Sequence, residues 1–387
     1  MNKSLLCNIK SLLLVLLALS ISLSVFLTNI ILLTLLITVI FEGGFNHKIK
    51  KILSSKWMVS IIILLLLYYI YSICFVTFTD TYWLLKRVSL LWLLPVFYST
   101  NFSNKIIKKS VFTFFISMFV SSVIAISENY GILNINEENW TIAAYLKYTE
   151  HNVFLASTIL ILIYSYFKLN LQPKFKILLL IFLPFYLFSL FTEAGKSGQL
   201  VFVLLLLIFI FIHLRKNIKY LLIAIGLLFL GLFVVYNSSE MLQKRYKQEI
   251  SRFLNKQSSS RSLLFTHSIE LIKKKPIIGY GAGAFTDVFR KIDNETEKIV
   301  KYHQTPHNNY LYVWVELGIP GLIIFLSVFY FQIRELKKLK DGFVRILLPI
   351  MYLAIMFTDS YLFGMHNTLI LYIFLSVIVV NYQYKPS

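Results

Sequence analysis

Cysteine is almost missing from this chain: Cys7 and Cys74 are its two, and both lie in or beside apolar segments. That excludes a disulfide framework and any cysteine metal-ligand spacing. Charge is scarce as well, at 14% of residues against 58% hydrophobic, which excludes an ordinary soluble domain. Alternating ten-residue strands are absent, which argues against an outer-membrane barrel. No small-residue cleavage site follows Lys3 and Lys10, because the run behind them continues apolar to Phe41. A removable signal peptide is therefore not expected.

What is present is a series of apolar runs of about 17 to 25 residues separated by short charged loops, the pattern of a polytopic α-helical membrane protein. Ser11 to Phe41 is free of charge. As one helix it would measure about 46 Å at about 1.5 Å per residue, against a bilayer core of about 30 Å. The run is expected to form two short helices with a break between Ser20 and Asn29. Further spans are expected at roughly 57–79, 81–99, 110–128, 152–168, 176–192, 197–214, 219–236, 309–334, 343–360 and 366–383. The sum is about twelve transmembrane helices, nine in residues 1–236 and three in 309–387, around one large outward loop at 237–308.

Charge fixes the expected orientation. With the N-terminus cytoplasmic, the inside loops are 42–56, 100–109, 169–175, 215–218 and 335–342, rich in lysine and arginine. The outside loops are short or acidic, carrying Asp80, then Glu137, Glu138 and Glu150, then the stretch near Asp359. The asymmetry follows the positive-inside rule and puts both termini in the cytoplasm. The formal charge of +20 is thereby explained by topology, without nucleic acid. The loop from Asn237 to Pro306 has 13 lysines and arginines against seven acids, but loops of that length translocate whatever their charge. Its positive field suits phosphates or anionic headgroups of membrane lipids.

Within and around that loop stand the residue types that chemistry on a charged, lipid-linked substrate would need. Arg261 lies in Ser260-Arg261-Ser262 with Phe265 four residues on, and a guanidinium grips phosphate oxygens bidentately. Gly279, Gly281 and Gly283 alternate in a turn ahead of Phe285. This superficially matches a dinucleotide fingerprint, which is rejected because no βαβ unit fits there. His307, behind Pro306, opens a helix, and its ordinary pKa suits a base near neutrality. Asn308 is either a cap or a ligand to a sugar hydroxyl. Gly318 and Gly321 flank Pro320 and are expected to break or kink the tenth span. Lys196 sits between Gly195 and Gly198 at the end of a span, where backbone and ligand come close. Lys86 and Arg87 lie inside an apolar segment, where charge is costly and either functional or snorkelling. His151, beside Glu150, is either a sugar contact or an interface anchor. Acids and histidines do not cluster at ligand spacings in any outward loop, so neither a metal nor another cofactor is expected.

His307-Asn308, nine residues, then Gly318-Ile319-Pro320-Gly321 resembles the H-[N/S/Q]-x9-G-x-x-G motif of the bacterial O-antigen ligase family. The order of Arg261, the glycine turn and His307, the long outward loop and twelve spans are similar to that family too. Where relatives often carry arginine after the seventh helix, this chain has Lys196, and where many have tryptophan it has Phe265. The resemblance implies a GT-C-like membrane enzyme of the bacterial inner (plasma) membrane, with its active site on the periplasmic face. It implies transfer of O-antigen polysaccharide from undecaprenyl diphosphate to lipid A–core, in lipopolysaccharide biosynthesis, by an inverting and metal-independent glycosyltransferase. In that frame His307 is the base, and Arg261 with Lys196, Lys86 and Arg87 meets the diphosphate. An O-antigen polymerase of the same superfamily is the near alternative. A transporter of the same lipid is the distant one, because it would favour internal repeats and charges along a buried path.

Overall fold

The computed structural model describes residues 3–75, 78–133, 141–142, 146–168, 172–193, 195–238, 243–244, 246–248, 250–251, 260–292, 299 and 303–382. Glu137, Glu138 and parts of the expected outward loop lie outside the described residues. The chain opens with α1 (Lys3–Ser20), α2 (Val25–Phe41), α3 (Phe45–Ser54), α4 (Lys56–Cys74) and α5 (Thr81–Val88). A 3-10 turn at Ser89–Trp92 leads into α6 (Leu93–Ser99), followed by α7 (Asn104–Asn129). Next come α8 (Tyr148–Lys168), α9 (Pro173–Thr192), α10 (Lys196–Leu214), α11 (Ile218–Ser238), α12 (Ser260–Lys274) and α13 (Phe285–Arg290). The chain closes with α14 (Asn309–Lys337), α15 (Gly342–Arg345), α16 (Leu347–Ile355) and α17 (His366–Asn381). Among the described residues the strand content is one antiparallel pair of two-residue strands, Thr141–Ile142 with Leu146–Lys147.

This is an all-α polytopic membrane protein. Among the described residues, six helices are long and apolar enough to cross a bilayer: α4, α7, α9, α10, α11 and α14. Three shorter apolar helices run over Ser4–Ser20, Gly342–Ile355 and His366–Asn381. Ser11 to Phe41 does divide in two, with the break at residues 21–24.

The span expected at 343–360 is two short helices ending at Ile355, and two further segments differ from expectation. Residues 42–56, read as an inside loop, contain α3, bent by 112° from α2. Its apolar Phe45, Ile49 and Leu53 are all exposed, so hydropathy averaged over a span-length window misses it. The span expected at 81–99 tightens to 3-10 geometry at Ser89–Trp92. Pro95 has no N–H for the carbonyl of Leu91, so a regular α-ladder cannot run through.

Contact density divides the chain into two units. One comprises Met1–Leu14, Ile30–Ile107 and Ser258–Tyr384; the other comprises Val15–Asn29, Lys108–Gln257 and Lys385–Ser387. The first unit holds the glycine turn and α14, and the two are made for each other. α14 breaks at Gly318, which adopts φ 66° and ψ −165°. Pro320 cannot donate to the carbonyl of Glu316, and the N–H of Ile319 donates instead to Pro276, at 3.0 Å. Two carbonyls are thus orphaned inside the protein, where an unmet partner costs about 1–3 kcal/mol. The turn supplies both donors: Tyr280 N–H to Val315 and Gly281 N–H to Glu316, each at 2.9 Å. Gly279, at φ 74°, lies so close that a Cβ there would sit 2.6 Å from both the Glu316 carbonyl and the Gly318 nitrogen. The buried carboxyl of Glu316 adds a bond from the Gly283 N–H at 3.1 Å.

Candidate functional site

The break in α14 leaves Asn309 to Leu317 as a short helix whose entrance is built by three consecutive side chains. Asn308 is the N-cap, and its Oδ1 accepts from Tyr310 N–H at 2.9 Å and Leu311 N–H at 3.0 Å. Its amide nitrogen reaches the carbonyl of Phe357 at 3.4 Å. Asn309 ties down the same neighbouring segment: its N–H donates to Met356 at 3.0 Å, and its Oδ1 accepts from Leu362 N–H at 3.1 Å. The two asparagines therefore clamp residues 356–362 beside the helix entrance. Asp359 is in the middle of that clamped segment.

His307 precedes the cap with φ 50°, a left-handed conformation that costs a non-glycine residue about 1–3 kcal/mol. What holds it there is a chain of polar groups. Its Nδ1 lies 2.9 Å from Asp359 Oδ1, and its Nε2 lies 3.0 Å from His303 Nδ1. Arg261, in the first turn of α12, brings a guanidinium nitrogen to 3.8 Å from Asp359 Oδ2. Asp359 is buried at 4% side-chain exposure, His307 reaches the surface at 18%, and Arg261 is open at 57%. A carboxylate can only accept, so Nδ1 of neutral His307 carries the hydrogen and Nε2 carries the lone pair. Burial holds His303 below the ordinary histidine pKa, with the charges of His307 and Arg261 adding to the effect and Asp359 opposing it. The arrangement provides a basic imidazole relay ending next to an exposed fixed cation.

The remaining residues singled out by sequence fall elsewhere. Asn308 serves as a cap and clamp. Arg87 stacks 3.5 Å over the Trp83 ring and donates to the carbonyls of Gly364 and Phe363. It anchors the backbone just beyond the Asp359 segment. Lys86 is exposed in the last turn of α5, where the helix dipole favours a cation. Lys196 and His151 belong to the second unit. Lys196 is the first residue of α10, half-buried, at a notch where Gly195 and Gly198 admit the side chain of Asn152. His151, expected at a sugar or an interface, is instead fully buried, because both ring nitrogens are satisfied by protein. Its Nδ1 meets the Glu193 carboxylate at 2.8 and 2.9 Å and its Nε2 meets Ser121 Oγ at 3.0 Å. The partner is Glu193, forty-two positions away, and not the adjacent Glu150.

Asp359 and His303 are the members of the cluster that residue patterns missed. Asp359 stood out only as an acid on the outward side. Its lodging at the end of an otherwise apolar run was the available signal. His303 stands four positions before His307, a spacing that marks a shared face only if the backbone between is helical, and it is not.

Comparison with known proteins bears out the family resemblance. Residues 177–326 match the family model described as O-antigen ligase. A Rickettsia felis protein, provisionally named a polysaccharide ligase, is 34% identical over 144 residues, covering 35% of this chain and 34% of that protein. A Rickettsia typhi protein with the same provisional designation is 31% identical over 140 residues, again 35% and 34% of the two chains. An uncharacterized protein of Haemophilus influenzae is 30% identical over 132 residues, covering 30% of this chain and 33% of its own. The match thus spans about a third of the length of these relatives. Arg261, the glycine turn, His307 and the Gly318 break lie inside the matched family segment.

Proposed function

We propose, from the premise that this chain belongs to the O-antigen ligase family through residues 177–326, that it is an O-antigen ligase. It moves a glycan from undecaprenyl diphosphate to a sugar hydroxyl of lipid A–core, at the periplasmic face of the inner membrane, with both its termini cytoplasmic. The observation that carries this reading is the relay of Asp359, His307 and His303 beside the open guanidinium of Arg261.

In such a transfer the acceptor hydroxyl oxygen attacks the anomeric carbon and the bond from that carbon to the diphosphate breaks. The electron pair leaves with the lipid-linked diphosphate, and the hydroxyl proton goes to a base. The diphosphate is already a good leaving group, so no second carboxylic acid is needed to protonate it, unlike in a glycosidase. What remains to be supplied is a base and a fixed positive charge. The pair Asp359–His307 withdraws the proton, and Asp359 stabilises the imidazolium that results. Arg261 sits on the other oxygen of the same carboxylate at a distance long enough for a phosphate to compete for it. Lys196 is a second candidate cation for the donor, argued from its sequence position alone.

A deletion strain tests the assignment. Polymer-length undecaprenyl-linked glycan should accumulate with no long chains on lipid A–core. Accumulation of single repeat units would mark a polymerase instead. Unchanged lipopolysaccharide and lipid-linked pools would sink both.

A further inference from the structure

The reading above leaves open which nitrogen touches the acceptor hydroxyl, and the hydrogen bonds answer in an unexpected way. His307 has no nitrogen to spare: Nδ1 is held by Asp359 and Nε2 by His303. With Asp359 ionised and both rings neutral, the directions of the bonds follow in sequence. His307 Nδ1–H donates to Asp359, so His307 Nε2 must accept, so His303 Nδ1–H must donate. The lone pair displaced along this chain ends on Nε2 of His303. Among the described residues that nitrogen meets no hydrogen-bond partner, and the side chain is half-buried and so reaches the surface.

The geometry points to His303 as a further catalytic residue, the imidazole that takes the acceptor proton directly, with His307 relaying it toward Asp359. The acceptor O–H bond breaks as its proton passes to His303 Nε2. The proton on His303 Nδ1 moves to His307 Nε2 at the same time. His303 ends neutral with its hydrogen on the other nitrogen, and the positive charge rests on His307 against Asp359. The proton returns to water once the diphosphate has left. The charge is thus formed one ring away from the substrate, on the imidazole hydrogen-bonded to a carboxylate. Burial is the main factor that disfavours a cation on His303; among the described residues His307 and Arg261 add to it and Asp359 opposes it. Relay removes that penalty, which a single imidazole in the place of His303 could not avoid.

This inference rests on the proposed transfer for its kinetics but not for its geometry, so two measurements are paired. In the purified full-length protein, diethylpyrocarbonate should carbethoxylate His303 ahead of His307, because acylation requires an open lone pair. Peptide mapping at increasing reagent reads the order. In the transfer assay, His303→Gln keeps a donor toward His307 but no base. It should lower turnover by about 100-fold or more with the melting temperature unchanged, and imidazole added to His303→Ala should restore part of the rate. Labelling of His307 first, or a His303→Gln variant within about threefold of the parent, overturns the inference. A parent that transfers no glycan from any polyprenyl diphosphate donor overturns the proposed function alone. The labelling order would then still decide the relay.

Discussion

His151 and His307 each hold a carboxylate at hydrogen-bond distance, 2.8 Å to Glu193 in one case and 2.9 Å to Asp359 in the other. By pair geometry alone they are equivalent. They differ in what meets the second nitrogen and in access to solvent. His151 and Glu193 are fully buried, Ser121 closes the ring's other nitrogen, and Ser189 caps the carboxylate at 2.5 Å. In a low-dielectric interior this is a satisfied polar cluster that joins α7, α8, α9 and the residue following α9. His307 is partly open, strained in backbone, and bonded to a second imidazole. On the proposed reading, a histidine–carboxylate pair serves chemistry where the chain of hydrogen bonds ends on something replaceable. Where it ends on a serine inside the protein, it is architecture.

The comparison can be broken most severely at His307. Replacing it with alanine should lower glycan transfer by about 10²- to 10⁴-fold, measured with purified donor and acceptor, while the protein still inserts and binds donor. Normal transfer by that variant would erase the distinction between the two pairs. Arg261→Ala should reduce both donor affinity and turnover, and Arg261→Lys should recover part of each, since an ammonium lacks the planar fork. Equal kinetics for arginine, lysine and alanine at this position would show that it is one solvated cation among many. His151→Ala should do the reverse of His307→Ala. It removes the partner of a buried carboxylate, at a cost of about 3 kcal/mol, so the detergent-solubilised protein should melt earlier while turnover per folded molecule is retained. A large loss of turnover without a change in melting would move His151 into the chemistry. The smallest expected effect is that of a chelator: on the proposed reading, in which fixed cations meet the diphosphate, EDTA should leave transfer unchanged. Loss with EDTA and recovery with Mg²⁺ would remove Arg261 and Lys196 from that role.

The acid limb of the pH profile sharpens the same contrast. Burial and the neighbouring positive groups hold His303 below its ordinary value. Its basic form therefore persists to lower pH than that of a free imidazole. The acid limb contributed by His303 should therefore lie below the usual histidine range.

The chain's pattern of apolar runs and basic loops determined by itself that this is a helical membrane protein, and the spans it marks at 176–192, 197–214 and 219–236 lie close to α9, α10 and α11. That information is local, because hydrophobic length and the positions of Pro306, Gly318 and Pro320 act on the backbone where they stand. The motif around His307 likewise exposed one end of the site. What only the tertiary structure decided is which groups complete it. Asp359 is 52 positions from His307, held near it by Asn308, which the sequence offered equally as cap or as ligand, and by Asn309. The same holds for the glycine turn, whose reason is two carbonyls orphaned in a helix some 35 residues later. Hydrogen-bond debts inside a membrane protein have to be met by protein, and the creditor can sit anywhere along the chain.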